Sequence, residues 1–306
     1  MIYLKQSILL RVPKEFNFWS TVWSSGWSVL EPFAVSKEKK VLSRVQKLSS
    51  GIIVRATLTQ SQKGELAILT ESHRKMNKSD IEELKDILKA CLRLDEDLSP
   101  FYSLLEGYQE FGWAEEFGVG RSIRSPTVFE DVVKTICTTN ASWSLTKAAT
   151  HRICNKIGDS FSDEFCTFPT PHQIASKDEE FMRKEIKVGY RSPYLIELAQ
   201  NVSNGRLDVE SWRPSTLDST DLKAEIMKIK GVGNYAADNI LKLLGRYDFL
   251  ALDSWVRKRF AELHKKGKAA SDKEIEQFYA PFGEWKGLVL ALDLTKEWLI
   301  PEDKKT

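Results

Sequence analysis

The spacing of apolar residues changes character near residue 79. Before it, apolar Val54, Ala56 and Leu58 alternate with Arg55, Thr57 and Thr59, the period of a half-buried strand. Ile8, Leu10 and Val12 alternate in the same way, and Glu65 to Thr70 is expected to pair as a neighbouring strand. Residues 1 to about 70 therefore read as strands, with the charge run Lys37 to Lys40 as a solvated turn. Trp19, Trp23 and Trp27 recur at helical spacing, which predicts a core-packing stripe. Beyond residue 79, apolar residues such as Phe129, Val132, Val133 and Ile136 return with the helical period. Ser125-Pro126, Thr170-Pro171 and Ser192-Pro193 predict helix starts, each a capping side chain before a proline at the first helical position. Thr170 with Gln173, and Ser271 with Glu274, also fit the capping box. The pattern predicts an α+β chain: a small antiparallel sheet domain with flanking helices over 1–100, then an all-helical core of two subdomains over 101–306.

Composition narrows the class without naming a chemistry. Of 306 residues, 42% are apolar and 29% charged, as in ordinary globular domains. The longest uncharged stretch, Phe16 to Leu30, falls short of a membrane span. Lys5 and Arg11 interrupt the first apolar run and no small-residue cleavage site follows, so an intracellular protein is expected. Cys91, Cys137, Cys154 and Cys166 lack the close spacing of zinc or iron–sulfur ligands and read as reduced, buried thiols. The formal charge of +2 is too small for a protein that holds nucleic acid by a basic surface alone. Any grip on DNA has to come from local geometry.

The most informative segment runs from Leu222 to Phe260. Leu222, Ile226 and Ile229 mark one helix, and Ala236, Ile240, Leu243 and Leu244 a second. Between them lies Ile229-Lys230-Gly231-Val232-Gly233, a connection so short that its glycines imply a tight hairpin open to close approach. Such a corner also presents N–H groups at the start of the second helix, which bind phosphate without basic side chains. An ordinary helical corner fits the same residues. Downstream, an apolar run delivers Asp253 to the expected N-terminus of a further helix. Aspartate there is a favoured cap in its own right. A helix N-terminus also favours the ionised carboxylate, and an ionised carboxylate can stabilise a sugar cation or activate water.

Together the hairpin and Asp253 resemble the helix-hairpin-helix DNA glycosylase superfamily, whose signature is this hairpin at about 221–245 followed by an essential aspartate heading a helix. Ile136-Cys137-Thr138-Thr139-Asn140 is similar to the element that fills the hole left by a flipped nucleotide. Gly189-Tyr190-Arg191-Ser192-Pro193-Tyr194 resembles the loop that wedges beside the opposite base. Tyr279 to Trp285, leading into Lys286 to Trp298, looks like the final core helix, and the strand-rich N-terminus resembles the extra domain of the 3-methyladenine and 8-oxoguanine subgroup. The resemblance implies a catalytic Asp253, and Gly231, Val232 and Gly233 on the DNA backbone, with a possible monovalent cation on the hairpin carbonyls. It further implies Asn140 in the vacated space, Tyr190 as the wedge and Arg191 on the orphaned base. Tyr235 and Asn239 would line the base pocket. The implied partner is double-stranded DNA carrying a damaged base, bound by a monomer that needs no cofactor.

Departures from the family pattern refine the expectation. Bifunctional members carry a lysine two positions after the second hairpin glycine; here that position is Tyr235, and a phenol cannot form an imine. An aromatic at this place suits electron-poor alkylated bases. The glutamine and phenylalanine with which 8-oxoguanine members hold the base align with Gly287 and Ala291. Asn239 stands where the methyladenine enzyme would have an aromatic. The expectation is a monofunctional glycosylase for an alkylated purine. Its rivals are a glycosylase for oxidised or mismatched bases, and a non-catalytic damaged-DNA-binding protein.

Overall fold

Strand alternation, where predicted, becomes a sheet with one buried face. The computed structural model describes residues 3–62 and 64–300. Among these, β1 (Leu4–Arg11), β2 (Phe33–Ser36), β3 (Val41–Lys47), β4 (Ile53–Gln62) and β5 (Glu65–Ser72) form one antiparallel sheet in the order β1-β5-β4-β3-β2. Val54, Ala56 and Leu58 of β4 and Leu66 and Ile68 of β5 are buried, each of the larger ones contributing roughly 1.5–3 kcal/mol of transfer free energy. They meet the apolar side of α2 (Lys78–Leu92), through Leu84, Leu88 and Leu92. The N-terminal region is not all strand. α1 (Phe18–Trp23) carries Trp19 and Trp23, and a 3-10 turn at Gly26–Val29 takes Trp27 off the helical stripe. Buried Trp27 points its Nε1–H at Asp131 Oδ1, 2.7 Å away.

The helices gather into two further cores. One joins α5 (Val128–Thr138), α6 (Trp143–Ile157), α9 (Ser192–Ser203), α10 (Ser219–Ile226) and α11 (Asn234–Leu244), with the short α7 (Pro171–Ala175) and α8 (Glu179–Phe181) beside them. α3 (Ser99–Leu105) and α4 (Trp113–Glu116) pack instead with α12 (Ser254–His264), α13 (Asp272–Tyr279) and α14 (Lys286–Leu299). The chain thus leaves the sheet, starts one helical core, builds the other and returns. The segment from α11 to α12 crosses between them.

A buried ionic cluster joins the sheet to the first helical core. Arg44 of β3 donates to both carboxylate oxygens of Glu130 on α5, at 3.0 and 2.6 Å, and Lys134 donates to the same group at 2.7 Å. All three side chains are almost fully buried. Two predicted helix starts need correction. Thr127, not Ser125, caps α5 by accepting the Glu130 amide, and Glu210, 82 residues from Val128, accepts the Val128 and Phe129 amides beside it. Ser192 lies inside the first turn of α9 and donates to the Gly189 carbonyl instead of capping. Thr170 and Ser271 do form capping boxes. Among the described residues, no helix is long and apolar enough to cross a membrane.

Candidate DNA interface and active site

α10 and α11 are joined by a turn that only small residues permit. Gly231 has φ +85°, and an added Cβ would lie 2.6 Å from the Tyr194 ring. Val232 turns its side chain into the helical core, so it offers the outside only its backbone. Gly233 stands at the N-cap of α11 with no side chain satisfying the helix's first amides, and open space lies where a Cβ would be. Unfilled amides at a helix start suit an anion. The carbonyls of Ile226 and Ile229 each accept one backbone N–H, leaving a second lone pair free to meet a cation. Ile229, read as helical from its spacing, belongs to this turn.

Asp253 is both cap and candidate catalyst. Its Oδ1 accepts the Val256 amide at 2.7 Å, closing the start of α12. Its Oδ2 accepts the Tyr235 hydroxyl at 3.2 Å. The carboxyl group is neither sealed off nor turned away from the hairpin. Burial, and then the charge of Asp253, push the Tyr235 phenol up to about 12, so it stays protonated and donates. Asn239, one turn along α11, donates its Nδ2 to the Tyr235 carbonyl at 2.9 Å. It braces the ring's backbone.

Asn140 and Tyr190, the residues expected to fill the gap and wedge the stack, meet across fifty positions of sequence. α5 ends at Thr138, and Asn140 follows in the left-handed region at φ +46°. Its Nδ2 donates to the Tyr190 hydroxyl at 3.2 Å. Tyr190 is 46% exposed and packs edge-on to Tyr194. Arg191 is not held out toward solvent. Its guanidinium donates to the Thr139 carbonyl, and to Val188 O at 3.3 Å, while covering the Tyr190 ring. It ties the two loops together, leaving less of itself for an orphaned base. Thr139, Asn140, Tyr190, Tyr194, the hairpin glycines, Asn234 and Tyr235 line one open cavity of about 460 Å³.

Two residues escaped the sequence reading. Tyr194 is the ring against which Gly231 turns, a contact between distant segments with no local signal. Lys242 sits seven residues after Tyr235 on α11, so the helical period placed both on one face. The final helix also shows why it offers no glutamine at Gly287. A Cβ there would stand 2.5 Å from the Phe249 carbonyl and 2.8 Å from that of Tyr247. Gly287 also donates its amide to Tyr247 O at 2.8 Å, so a larger residue would displace the extended segment that leads to Asp253.

The hairpin, the Asp253 carboxylate and the Asn140–Tyr190 pair can be set beside known proteins. Residues 133–282 match the HhH-GPD superfamily of base excision DNA repair proteins, a span that contains every site residue from Asn140 to Asp253. This region is an HhH-GPD superfamily domain. Over 167 residues the chain is 25% identical to the N-glycosylase/DNA lyase of Saccharomyces cerevisiae, covering 51% of this chain and 44% of the yeast protein. The chain therefore spans less than half of that relative. The 3-methyladenine DNA glycosylase of Archaeoglobus fulgidus superposes with a TM-score of 0.71 at 19% identity, over 95% of this chain and 98% of that one. The 8-oxoguanine glycosylase/lyase of Clostridium acetobutylicum gives 0.68 at 20% identity, over 96% and 98%. Both likenesses establish the fold, N-terminal sheet included.

Proposed function

We propose that this protein is a base-excision DNA glycosylase that hydrolyses the N-glycosidic bond of a flipped, damaged purine, with Asp253 as the catalytic carboxylate. The reading rests on one observation: the Asp253 carboxylate is anchored through one oxygen at the helix start and turns the other toward Tyr235, a wall of the hairpin cavity. The amides around Gly231 and Gly233 hold a backbone phosphate, which suits a chain of nearly neutral charge. Tyr190 enters the stack and Asn140 occupies the space the nucleotide leaves. Extrusion costs a few kcal/mol, least for a damaged or mispaired base, and so adds selectivity. As the glycosidic bond breaks, Asp253 faces the sugar's growing positive charge and takes a proton from the attacking water.

The product is an abasic site in an intact strand, since Tyr235 holds a phenol where an amine nucleophile would be needed. The aromatic wall at Tyr235 favours an alkylated, electron-poor purine. The relatives' names span 3-methyladenine and 8-oxoguanine, so the lesion is decided by experiment. Base release is measured from duplexes containing 3-methyladenine, 7-methylguanine, hypoxanthine, uracil and 8-oxoguanine, with borohydride trapping alongside. Alkylated purines should be released fastest and no covalent adduct should form. Release of 8-oxoguanine or uracil alone would overturn the substrate assignment. An adduct would overturn the hydrolytic one, and binding without any release would make the protein a damage-binding module.

A further inference from the structure

Tyr235, Asn239 and Lys242 stand at i, i+4 and i+7 on α11 and share one face of the helix. The first touches Asp253 and the second braces the first. Lys242 comes next, and long helical side chains lean back toward the N-terminus, here toward its two companions. Its helical turn is held firmly: Arg93, buried and fixed by Glu96, donates to the Lys242 and Leu243 carbonyls.

Three cations on α10, α12 and α14 have partners. Lys223 pairs with Asp238 at 2.6 Å, Lys286 with Glu276 at 3.0 Å, and Arg257 with Asp272 at 2.7 Å. Lys242 is partly buried, yet its Nζ makes no hydrogen bond or ion pair with any described residue. The charges it feels are the Asp253 carboxylate and the Arg93 guanidinium. An ammonium left without a partner on the face that carries Tyr235 is a candidate for pairing with a group the substrate brings. Burial lowers its pKa below the usual lysine range, with Asp253 opposing the shift and Arg93 adding to it. A loosely held proton suits a general acid.

We propose that Lys242 is the hydrogen-bond donor and general acid for the departing base, extending the pocket's substrates from cationic alkylated purines to neutral damaged bases that present an acceptor. This inference rests on the reading of Asp253 given above. A cationic base leaves as a neutral molecule and needs no proton. A neutral base takes the electron pair of the broken C1′–N bond and the proton from Lys242. Water adds its oxygen to C1′ and gives its proton to Asp253, and that proton returns to the lysine through solvent, restoring both groups.

The test compares single-turnover release of hypoxanthine, a neutral base, with that of 7-methylguanine, a cationic one, by the full chain. Wild-type protein should release both. In Lys242→Met the ratio of hypoxanthine to 7-methylguanine release should fall about 100-fold, the scale of a lost general acid. Lys242→Arg, which keeps a donor, should restore part of that ratio. A ratio unchanged in Lys242→Met, or wild-type protein inactive on hypoxanthine alone, overturns the proposal. Should Lys242→Met not fold, Lys242→Gln carries the same ratio test. Wild-type protein that releases neither base defeats the Asp253 reading itself, a result distinct from either.

Discussion

Replacing Asp253 by asparagine and by alanine separates its two duties. The carboxylate caps α12 through Oδ1 and holds the Tyr235 hydroxyl through Oδ2. Asparagine keeps an acceptor for the Val256 amide and is as good a cap as aspartate, so only the charge–dipole part is lost, about 0.3–1 kcal/mol. Alanine loses the cap as well, for a total of about 1–2 kcal/mol. With an unfolding entropy of about 2.1 cal/mol/K per residue over this length, Asp253→Asn should lower Tm by about 1 °C and Asp253→Ala by about 2–3 °C. Chemistry should respond in the opposite proportion. Both variants lose the ionised oxygen facing the sugar, so base release should fall at least about 100-fold in each. Binding to a duplex with a stable abasic analogue should hold or tighten, because a negative charge near the phosphates is gone. Calorimetry, single-turnover release and anisotropy read the three quantities. If Asp253→Asn releases base at the wild-type rate while Asp253→Ala only melts earlier, Asp253 is a cap and nothing more.

Two further expectations follow from the backbone and the buried charges. Gly231→Ala forces a methyl into the Tyr194 ring at φ +85°, which should cost about 1–3 kcal/mol and weaken DNA binding. Gly233→Ala meets only open space, so it should weaken binding at a smaller cost in stability than Gly231→Ala; equal losses in chemical denaturation, or unchanged binding of either variant in anisotropy, would refute this account of the hairpin. Glu130→Gln should destabilise by about 3–5 kcal/mol, since Arg44 and Lys134 would keep their charges in a buried site. Burial alone would raise the Glu130 carboxyl, but those two cations hold it down at about 2. A depressed carboxylate stabilises fully above its unfolded value of 4.5 and loses that contribution as pH falls toward about 2. Urea midpoints of wild type and Glu130→Gln should therefore converge across that window, and a constant gap would refute the assignment.

Much of this protein was set by short stretches of chain. Alternation at Val54, Ala56 and Leu58 determined a half-buried strand, the spacing Gly231-Val232-Gly233 a tight corner, and Asp253 the start of a helix, because each depends on backbone preferences a few residues wide. The family resemblance was legible for the same reason. Tertiary structure decided what those pieces touch. The first amides of α5 are filled by a carboxylate 82 residues away, and Arg191 is committed to Thr139 instead of standing free. Glu130 and Lys134 are four residues apart on α5, but only the packing brings Arg44 from the sheet to join them in a buried cluster. Lys242 escaped the sequence reading, and that its Nζ has no partner among the described residues shows only in the folded chain. Capping and periodicity are local energies; pairing across a core is a matter of which distant groups the packing leaves within reach.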